Sequence, residues 1–578
     1  MRANEISAFD VIGPIMIGPS SSHTAGALRI ALIASRLLTA ELQAVSFTLY
    51  GSFRHTYRGH GTDRALLAGA MGLGPDDPRI RDSHQLAAER GLQVSFLQGE
   101  DEQDMHPNTV DIRLQTVGGE VLDVRGVSTG GGRAVITRIN GVDLEVTGRY
   151  NTLVLRHVDR PGVIAAIASR LSDAHINIAF MKLYREERGR IAWTIVETDE
   201  AILPAIPEEL EQLKWVEQAL LVPAVSVEAM PLRAPLPSIS CRELYEACQN
   251  AGMDMGRAFP FLSNASGEEL SRAMGRRFGV EELSPQNAKD LAACSQATGL
   301  GLFPLMLGRE CLLFGGDPQD HLIRMRRVWQ VMKQSIDLGL AEHQPTMGGL
   351  IGGEAAKLLA FEQLQKGQTD ILGRLAAYAM AVLESNASMG LIVAAPTAGA
   401  SGVLPASFLV AQEEQQYSDE AIIEALFVAS AIGLIIMANG SVSGAEGGCQ
   451  AETGSASAMA ASALVSLGGA SLEAVYAAAS TALQHVLGTV CDPIHGLVEA
   501  PCQRRNAIAA LNALLSARLA LAGLSGIVDL DAMILTARDV GASLPSALRE
   551  TGQGGTAAAY QGQRQTACAS CAACAACL

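Results

Sequence analysis

Aromatic side chains are scarce in this chain, at 4% of 578 residues, while apolar residues as a whole reach 48% and glycine numbers 58. An interior of that composition is built from Ala, Leu, Val and Gly, which suits closely packed helices, and the length allows several domains. Basic residues also fall short. Lys and Arg total 43 against 60 Asp and Glu, a formal charge of −17 that argues against nucleic acid as a partner. The opening MRANEISAFDVIG has no long apolar stretch, so no secretory leader is expected. Residues 391–411 are uncharged over 21 positions, but Pro396, Pro405, two glycines and several hydroxyls make a poor membrane span. Buried helix and loop is the expectation there. No internal repeat is seen. No lysine stands in a context recognisable as an anchor for pyridoxal phosphate. Eleven cysteines without a leader imply a reducing compartment, the cytoplasm, with thiols for metal or redox work.

The informative cysteines are Cys449, Cys491 and Cys502, spaced 42 and 11 apart in NGSVSGAEGGCQAETG and TVCDPIHGLVEAPCQRRN. Gly-Gly precedes Cys449, and a run rich in Ala and Ser follows it. Pro501 precedes Cys502 and a second helical run, and Pro in a first turn is a helix start signal. Both thiols are therefore expected at helix N-termini, where free N–H groups and the macrodipole favour thiolate. Cys491 is expected in a turn with Asp492 and Pro493, after a helix ending near Gly488. Three cysteines in a large chain also read as buried small hydrophobes, and no tight C-x2-C pair is present among them. If they hold metal, structural zinc lacks its fourth ligand, whereas three thiolates with one vacant position suit an iron–sulfur cluster.

GCQAE, TVCDP and PCQRRN together resemble the cluster-binding motifs of bacterial iron–sulfur-dependent L-serine dehydratases, and the resemblance covers nearly the whole chain. It implies a 4Fe-4S cluster on Cys449, Cys491 and Cys502, with the fourth iron open to substrate. It also implies a cytoplasmic enzyme of amino-acid degradation and gluconeogenesis.

Taken in order, residues 1–148 read as a first α/β domain. Ser20, Ser21, Ser22, His23 and Thr24 lie in GPSSSHTAG ahead of an amphipathic helix. Hydroxyls and free N–H groups at a helix start suit a carboxylate, although alone the stretch is an ordinary N-cap. AVSFTLYGS reads as a strand leading to GHGTD, which carries His60, Thr62 and Asp63 at another helix start. Further strands are expected at 111–116 and 135–139, flanking STGGGRA, a tight turn or an anion loop. Both His-bearing motifs resemble those of the dehydratase β-domain.

Residues 149–228 predict a βαββαβ order, a ferredoxin-like fold. The unit resembles an ACT domain, and this implies an amino-acid effector site at Asp159, Arg160, Pro161, Gly162 and Asn177 between paired domains, hence a homodimer. Proline-rich residues 229–238 read as a linker. Residues 239–560 carry helix-period apolar positions with Gly and Pro breaks, an all-α domain. MGGLIGGEAAKL and APTAGASGVLPA are small-residue loops that permit tight helix packing. They also resemble substrate-binding loops of the dehydratase α-domain, which implies Thr397, Ala398 and Gly399 at the substrate. The final 561–578 segment repeats Cys568, Cys571, Cys574 and Cys577 every third residue. With no flanking fold to preorganise it, a flexible tail is expected. In some relatives a C-terminal cysteine enters the active site, but here Leu578 follows Cys577.

The chemistry implied is loss of water, then ammonia, from L-serine to give pyruvate. An open cluster iron acts as Lewis acid on the β-hydroxyl. A neutral His is suited to take the α-proton; His60 is the candidate, with His23 and its hydroxyl neighbours orienting the carboxylate. The alternatives are a cluster-dependent lyase for L-cysteine or a hydroxy acid, and a non-catalytic amino-acid sensor.

Overall fold

The computed structural model describes residues 3–569, apart from 39, 104, 149, 186, 199–201, 204, 223–234, 264–265, 342–344, 367–369 and 525. The chain divides into two units, residues 21–234 and residues 1–20 with 235–578.

In the first unit, alternating burial along Leu42–Leu49, Thr109–Thr116, Val121–Gly130 and Val142–Val146 makes half-buried strands. With Gln93–Gln98 and Arg133–Ile139 they form a six-stranded sheet. Only the pair Leu42–Leu49 with Gln93–Gln98 is parallel. Helices Gly26–Arg36 and Thr62–Ala70 pack on each other, the first also on the sheet. A Cβ at Gly69 would lie 2.2 Å from the Leu28 carbonyl oxygen, so glycine sets how closely the two helices approach. STGGGRA is a tight turn: Gly130, Gly131 and Gly132 take φ of 88°, 59° and 73° to close a hairpin.

The same unit holds the expected βαββαβ order: Asn151–Val158, Val163–Asp173, Ile178–Arg185, Ile191–Thr198, Ala205–Glu211 and Val216–Val222. Its antiparallel sheet has the fourth strand beside the first, then the third and the second. Helix residues Val163, Ile167 and Leu171, four apart, face Leu153, Leu155 and Val196 of the sheet.

The second unit is helical. Its apolar helix Asp419–Asn439 is long enough to cross a membrane, but 94% of its apolar window is buried inside the protein, as a core helix. It packs against Leu302–Phe314, Pro318–Leu340 and Ser455–Leu467. The uncharged stretch from residue 391 is, as expected, buried loop and helix, with strand Leu391–Val393 and helix Val403–Gln415.

Two boundaries differ from the sequence reading. Residues 1–20 fall in the helical unit rather than in the first α/β domain. Ile6, Val11, Ile12 and Ile15 join the helical core, and Ile15–Ile17 pairs with Leu391–Val393. At the other end, helix Gly555–Ala569 runs through residue 560 into the segment expected to be flexible. Residues 570–578, with Cys571, Cys574 and Cys577, lie outside the described residues, as do 229–234 of the expected linker.

Candidate active site

In the N-terminal unit the sequence SSHTA does not form a plain N-cap. It makes a wide turn, Ser21–Ala25, that runs into helix Gly26–Arg36. Thr24 Oγ1 donates to the His60 carbonyl at 2.7 Å, which ties the two His-bearing motifs together. His23 is fully buried and bonded through both nitrogens, Nδ1 to Ser22 Oγ at 2.9 Å and Nε2 to Ser52 Oγ at 2.8 Å. Ser128 Oγ donates to the Ser22 carbonyl at 2.7 Å and fixes the turn. The His60 ring stands edge-on to His23, 4.5 Å between centroids and 70° between planes. His60 is fully buried too, yet neither of its nitrogens has a hydrogen-bond partner among the described residues. Burial holds its pKa down at about 4, and burial with the His60 charge lowers His23 well below the usual range. Both rings are therefore neutral near pH 7.

Gly61, at φ 62°, lets the chain turn from His60 into helix Thr62–Ala70. Thr62 is buried, and its Oγ1 has no hydrogen-bond partner among the described residues. At the next position Asp63 Oδ2 meets His84 Nε2 at 3.1 Å, while its Oδ1 is buried with no hydrogen-bond partner among the described residues. Ser21 is buried here, and Ser20 is buried in the helical unit.

In the helical unit the three cysteines come together. Cys449 caps the turn Gln450–Gly454, which continues into helix Ser455–Leu467, and Cys502 is the first residue of helix Cys502–Leu521. Cys491 follows helix Leu472–Gln484 and is clamped by the loop near residue 549. Its N–H donates to the Leu548 carbonyl at 2.9 Å, and its carbonyl accepts from Glu550 N at 2.7 Å. Glu452 stands between the thiols and the small-residue loop. Its Oε1 accepts from Thr397 Oγ1 at 2.9 Å, and its Oε2 lies 3.9 Å from Cys491 Sγ. Asn506 donates to the Gly399 carbonyl at 2.7 Å and accepts from Gly402 N at 3.0 Å, while Asn386 donates to the Ala398 carbonyl at 3.1 Å. Thr397, Ala398 and Gly399 are thus held beside the thiol group. Arg505 pairs with Asp492 at 2.7 Å.

Helix starts were expected to favour thiolates, but burial outweighs that effect. It pushes Cys449 up to about 11, with the Glu452 charge adding to the rise. Burial also drives Cys491 and Cys502 well up, and among the thiols Cys491 feels Cys449 and Cys502 while Cys502 feels Cys449. Burial also raises Glu452 and Glu550, and Glu452 acts on Glu550. A chamber of three gathered thiols and two carboxyls that resist ionisation fits a metal centre, because a bound cation deprotonates its thiols outright. The soft three-sulfur donor set fits iron–sulfur chemistry. Cys241, Cys248 and Cys311 lie instead in the apolar core.

The glycine loop in MGGLIGGEAAKL differs from its expected role. Gly348 and Leu350 N–H groups donate to Glu499 at 2.6 and 2.7 Å, and Gly353 and Ala355 to Glu384 at 2.5 and 2.8 Å. The protein's own carboxylates already take those donors. Sequence reasoning passed over Glu452, although it stands three residues after Cys449 within the quoted motif, and Arg505 and Asn506 within PCQRRN. Glu550 carried no local signal.

Comparison with known proteins identifies this combination. Residues 208–557 match the family model for the serine dehydratase alpha chain, residues 7–138 that for the serine dehydratase beta chain, and residues 151–214 an ACT domain. The chain belongs to the serine dehydratase family. It is 30% identical to the L-serine dehydratase of Streptomyces coelicolor over 96% of this chain and 98% of that protein. It is 39% identical to the probable L-serine dehydratase alpha chain of Bacillus subtilis over 48% of this chain and 93% of the relative. The probable beta chain from the same organism is 41% identical over 37% of this chain and 96% of its own length. This serine dehydratase therefore carries in one chain what those two relatives carry in two.

In the ACT domain of this serine dehydratase, the DRPG turn links strand Asn151–Val158 to helix Val163–Asp173, which Gly162 starts at φ 93°. Asp159 Oδ2 accepts from Gly189 N at 3.0 Å and Arg185 at 3.3 Å, so its carboxylate is engaged by the neighbouring hairpin. Arg160, Pro161, Gly162 and Asn177 are exposed, and the Arg160 guanidinium stands over the Trp215 ring at 5.7 Å.

Proposed function

We propose that this chain is an L-serine ammonia-lyase that converts L-serine to pyruvate and ammonia, with Cys449, Cys491 and Cys502 holding a 4Fe-4S cluster. The observation that carries the reading is the gathering of those three thiols around Glu452, next to Thr397. When bound, the cluster supplies an open Lewis-acid iron for the β-hydroxyl, a poor leaving group.

The remaining chemistry falls to the protein. The α-proton of serine needs a base that is unprotonated and dry, and His60 is neutral, buried and without a hydrogen-bond partner at either nitrogen among the described residues. His23 is held by Ser22 and Ser52, so it keeps His60 in place and orients substrate rather than taking the proton. The hydroxyls of Ser20, Ser21, Ser22 and Thr62 serve the substrate carboxylate, Thr24 spends its hydroxyl proton on the His60 carbonyl and so positions that loop, and Thr397 is steered by Glu452. His60 takes the α-proton, the β-hydroxyl departs, and the proton that His60 took completes it to water, which leaves a neutral His60 and aminoacrylate. That product tautomerises to the imine, and water releases ammonia and pyruvate. The enzyme works in the cytoplasm as a homodimer, without nucleic acid or membrane. An amino-acid effector binds the ACT domain at Asp159, Arg160, Pro161, Gly162 and Asn177.

The test is anaerobic purification, iron and sulfide analysis, and a pyruvate assay on L-serine. Replacement of Cys449, Cys491 or Cys502 by Ser should abolish iron retention and turnover. Full iron content in the triple variant, or iron-loaded protein that releases no pyruvate, would refute the assignment.

A further inference from the structure

Residues 3–17 precede the α/β region in sequence, yet they are built into the helical unit by contacts of the kind found at interfaces. Arg309 and Glu310, in helix Leu302–Phe314, are both fully buried. The Glu310 carboxylate accepts from Ser7 Oγ at 2.6 Å, Ala8 N at 2.9 Å and Arg309 at 3.0 Å. Arg309 in turn donates to the Ala3 carbonyl at 2.5 Å. Next along the arm, Phe9 lies under the Arg324 guanidinium at 3.8 Å, stacks on His321 at 5.9 Å and meets Phe427 edge-on at 6.4 Å. The arm then adds a strand: Ile15–Ile17 pairs antiparallel with Leu391–Val393, flanked by Gly13 N to the Ala394 carbonyl at 2.8 Å.

An aromatic anchor in a pocket, a desolvated charge with its bonds completed by the other side, and strand addition are the usual parts of peptide recognition. The buried pair is informative. Two charges with no exposure are costly, and beyond their own ion pair the bonds to Glu310 and the bond from Arg309 Nη2 are made with arm residues. The beta-chain family match begins at residue 7, so most of the arm belongs to the part that the Bacillus subtilis relative carries as a separate chain. Its seat belongs to the alpha-chain match, residues 208–557.

We infer that the helical unit carries a docking site for the arm 3–17 of this chain, and that the site holds the arm without covalent continuity through residues 223–234. The occupant is recognised by chemistry on the page: a Ser hydroxyl and amide for Glu310, a Phe ring for Arg324 and His321, and an extended Ile-Met-Ile for the strand edge.

The experiment uses the full-length chain with a specific protease site placed within residues 223–234. The protein is folded first, then cut, and passed over a sizing column. The two pieces should co-elute, and an excess of a labelled synthetic peptide of residues 1–20 should exchange into the cut protein and elute with it. The same peptide with Ser7→Ala and Phe9→Ala should not. In a chain carrying both substitutions, the wild-type peptide should enter the cut protein at lower concentration, because the arm no longer competes for the seat. Wild-type pieces that separate on cutting, a doubly substituted cut protein that takes up the peptide no better than the wild type, or two peptides that act alike would each overturn the inference. If the doubly substituted chain does not fold before cutting, the two peptides on the wild-type cut protein decide the matter.

Discussion

His60 should make the N-terminal unit acid-sensitive in a way that can be measured without any cofactor. The perturbation is a fall in pH, compared between the wild type and His60→Asn. Above about pH 6.5 the ring is neutral in both folded and unfolded chains, so it contributes no pH dependence. On acidification the unfolded chain takes up a proton near 6.5, whereas the buried ring, its pKa held at about 4, does not. Stability is therefore lost as pH falls through that window, by about 1.4 kcal/mol per unit and about 3 kcal/mol in all, and the slope ends near pH 4, where the folded ring protonates too. Trp193 and Trp215 lie in the same unit as His60, and Trp329 is the third tryptophan of three, so Trp329→Phe leaves fluorescence that reports this unit alone. Urea midpoints at several pH values in that background give the two curves. The wild type should lose stability toward pH 4, and His60→Asn should lose less by about 3 kcal/mol. Parallel curves would refute the reasoning. The same shift sets the acid limb of kcat/KM near pH 4 rather than near 6.5, if His60 is the free base.

Other perturbations test other parts. Asn506→Ala removes the side chain that holds Gly399 and Gly402, leaving a buried N–H unpaired at a cost of about 1–3 kcal/mol. The loosened Thr397 loop should raise KM for L-serine, read from a saturation curve. Gly339→Ala would place a Cβ 1.9 Å from the Ala381 carbonyl oxygen, forcing helices Pro318–Leu340 and Ile371–Ala387 apart. A cost of at least about 1–3 kcal/mol should appear as a lower melting temperature, with iron content unchanged. Asp159→Ala frees the DRPG turn from Gly189 and Arg185. Equilibrium dialysis with L-serine should then lose the binding that persists when turnover is blocked by His60→Ala; retention of that binding would place the effector elsewhere.

Much of the fold was legible because its signals are local. Alternation of two marked the strands of the first unit, and the turn residues DRPG and STGGGRA marked where they reverse. Helix starts at Thr62 and Cys502 followed from Gly and Pro just before them. The three cysteines and two histidines stood out by residue type and by the short motifs around them. The tertiary structure decided what those signals leave open. It set Glu452 and Glu550 among the thiols, and Asn386 and Asn506 on the Thr397 loop, through partners 12 to 107 positions away in sequence. It set one Asp63 oxygen against His84 and gave N–H groups of the Gly348 loop to Glu499. It reversed the expectation for the cysteines, since a helix start acts over one turn while burial acts on every charge in the chamber. It also took residues 1–20 out of the domain that follows them, because Ile6 and Phe9 bury against helices more than 300 residues away. Composition and spacing determine which side chains are available. Only packing determines which of them share a dry space, and the dry space sets their charge.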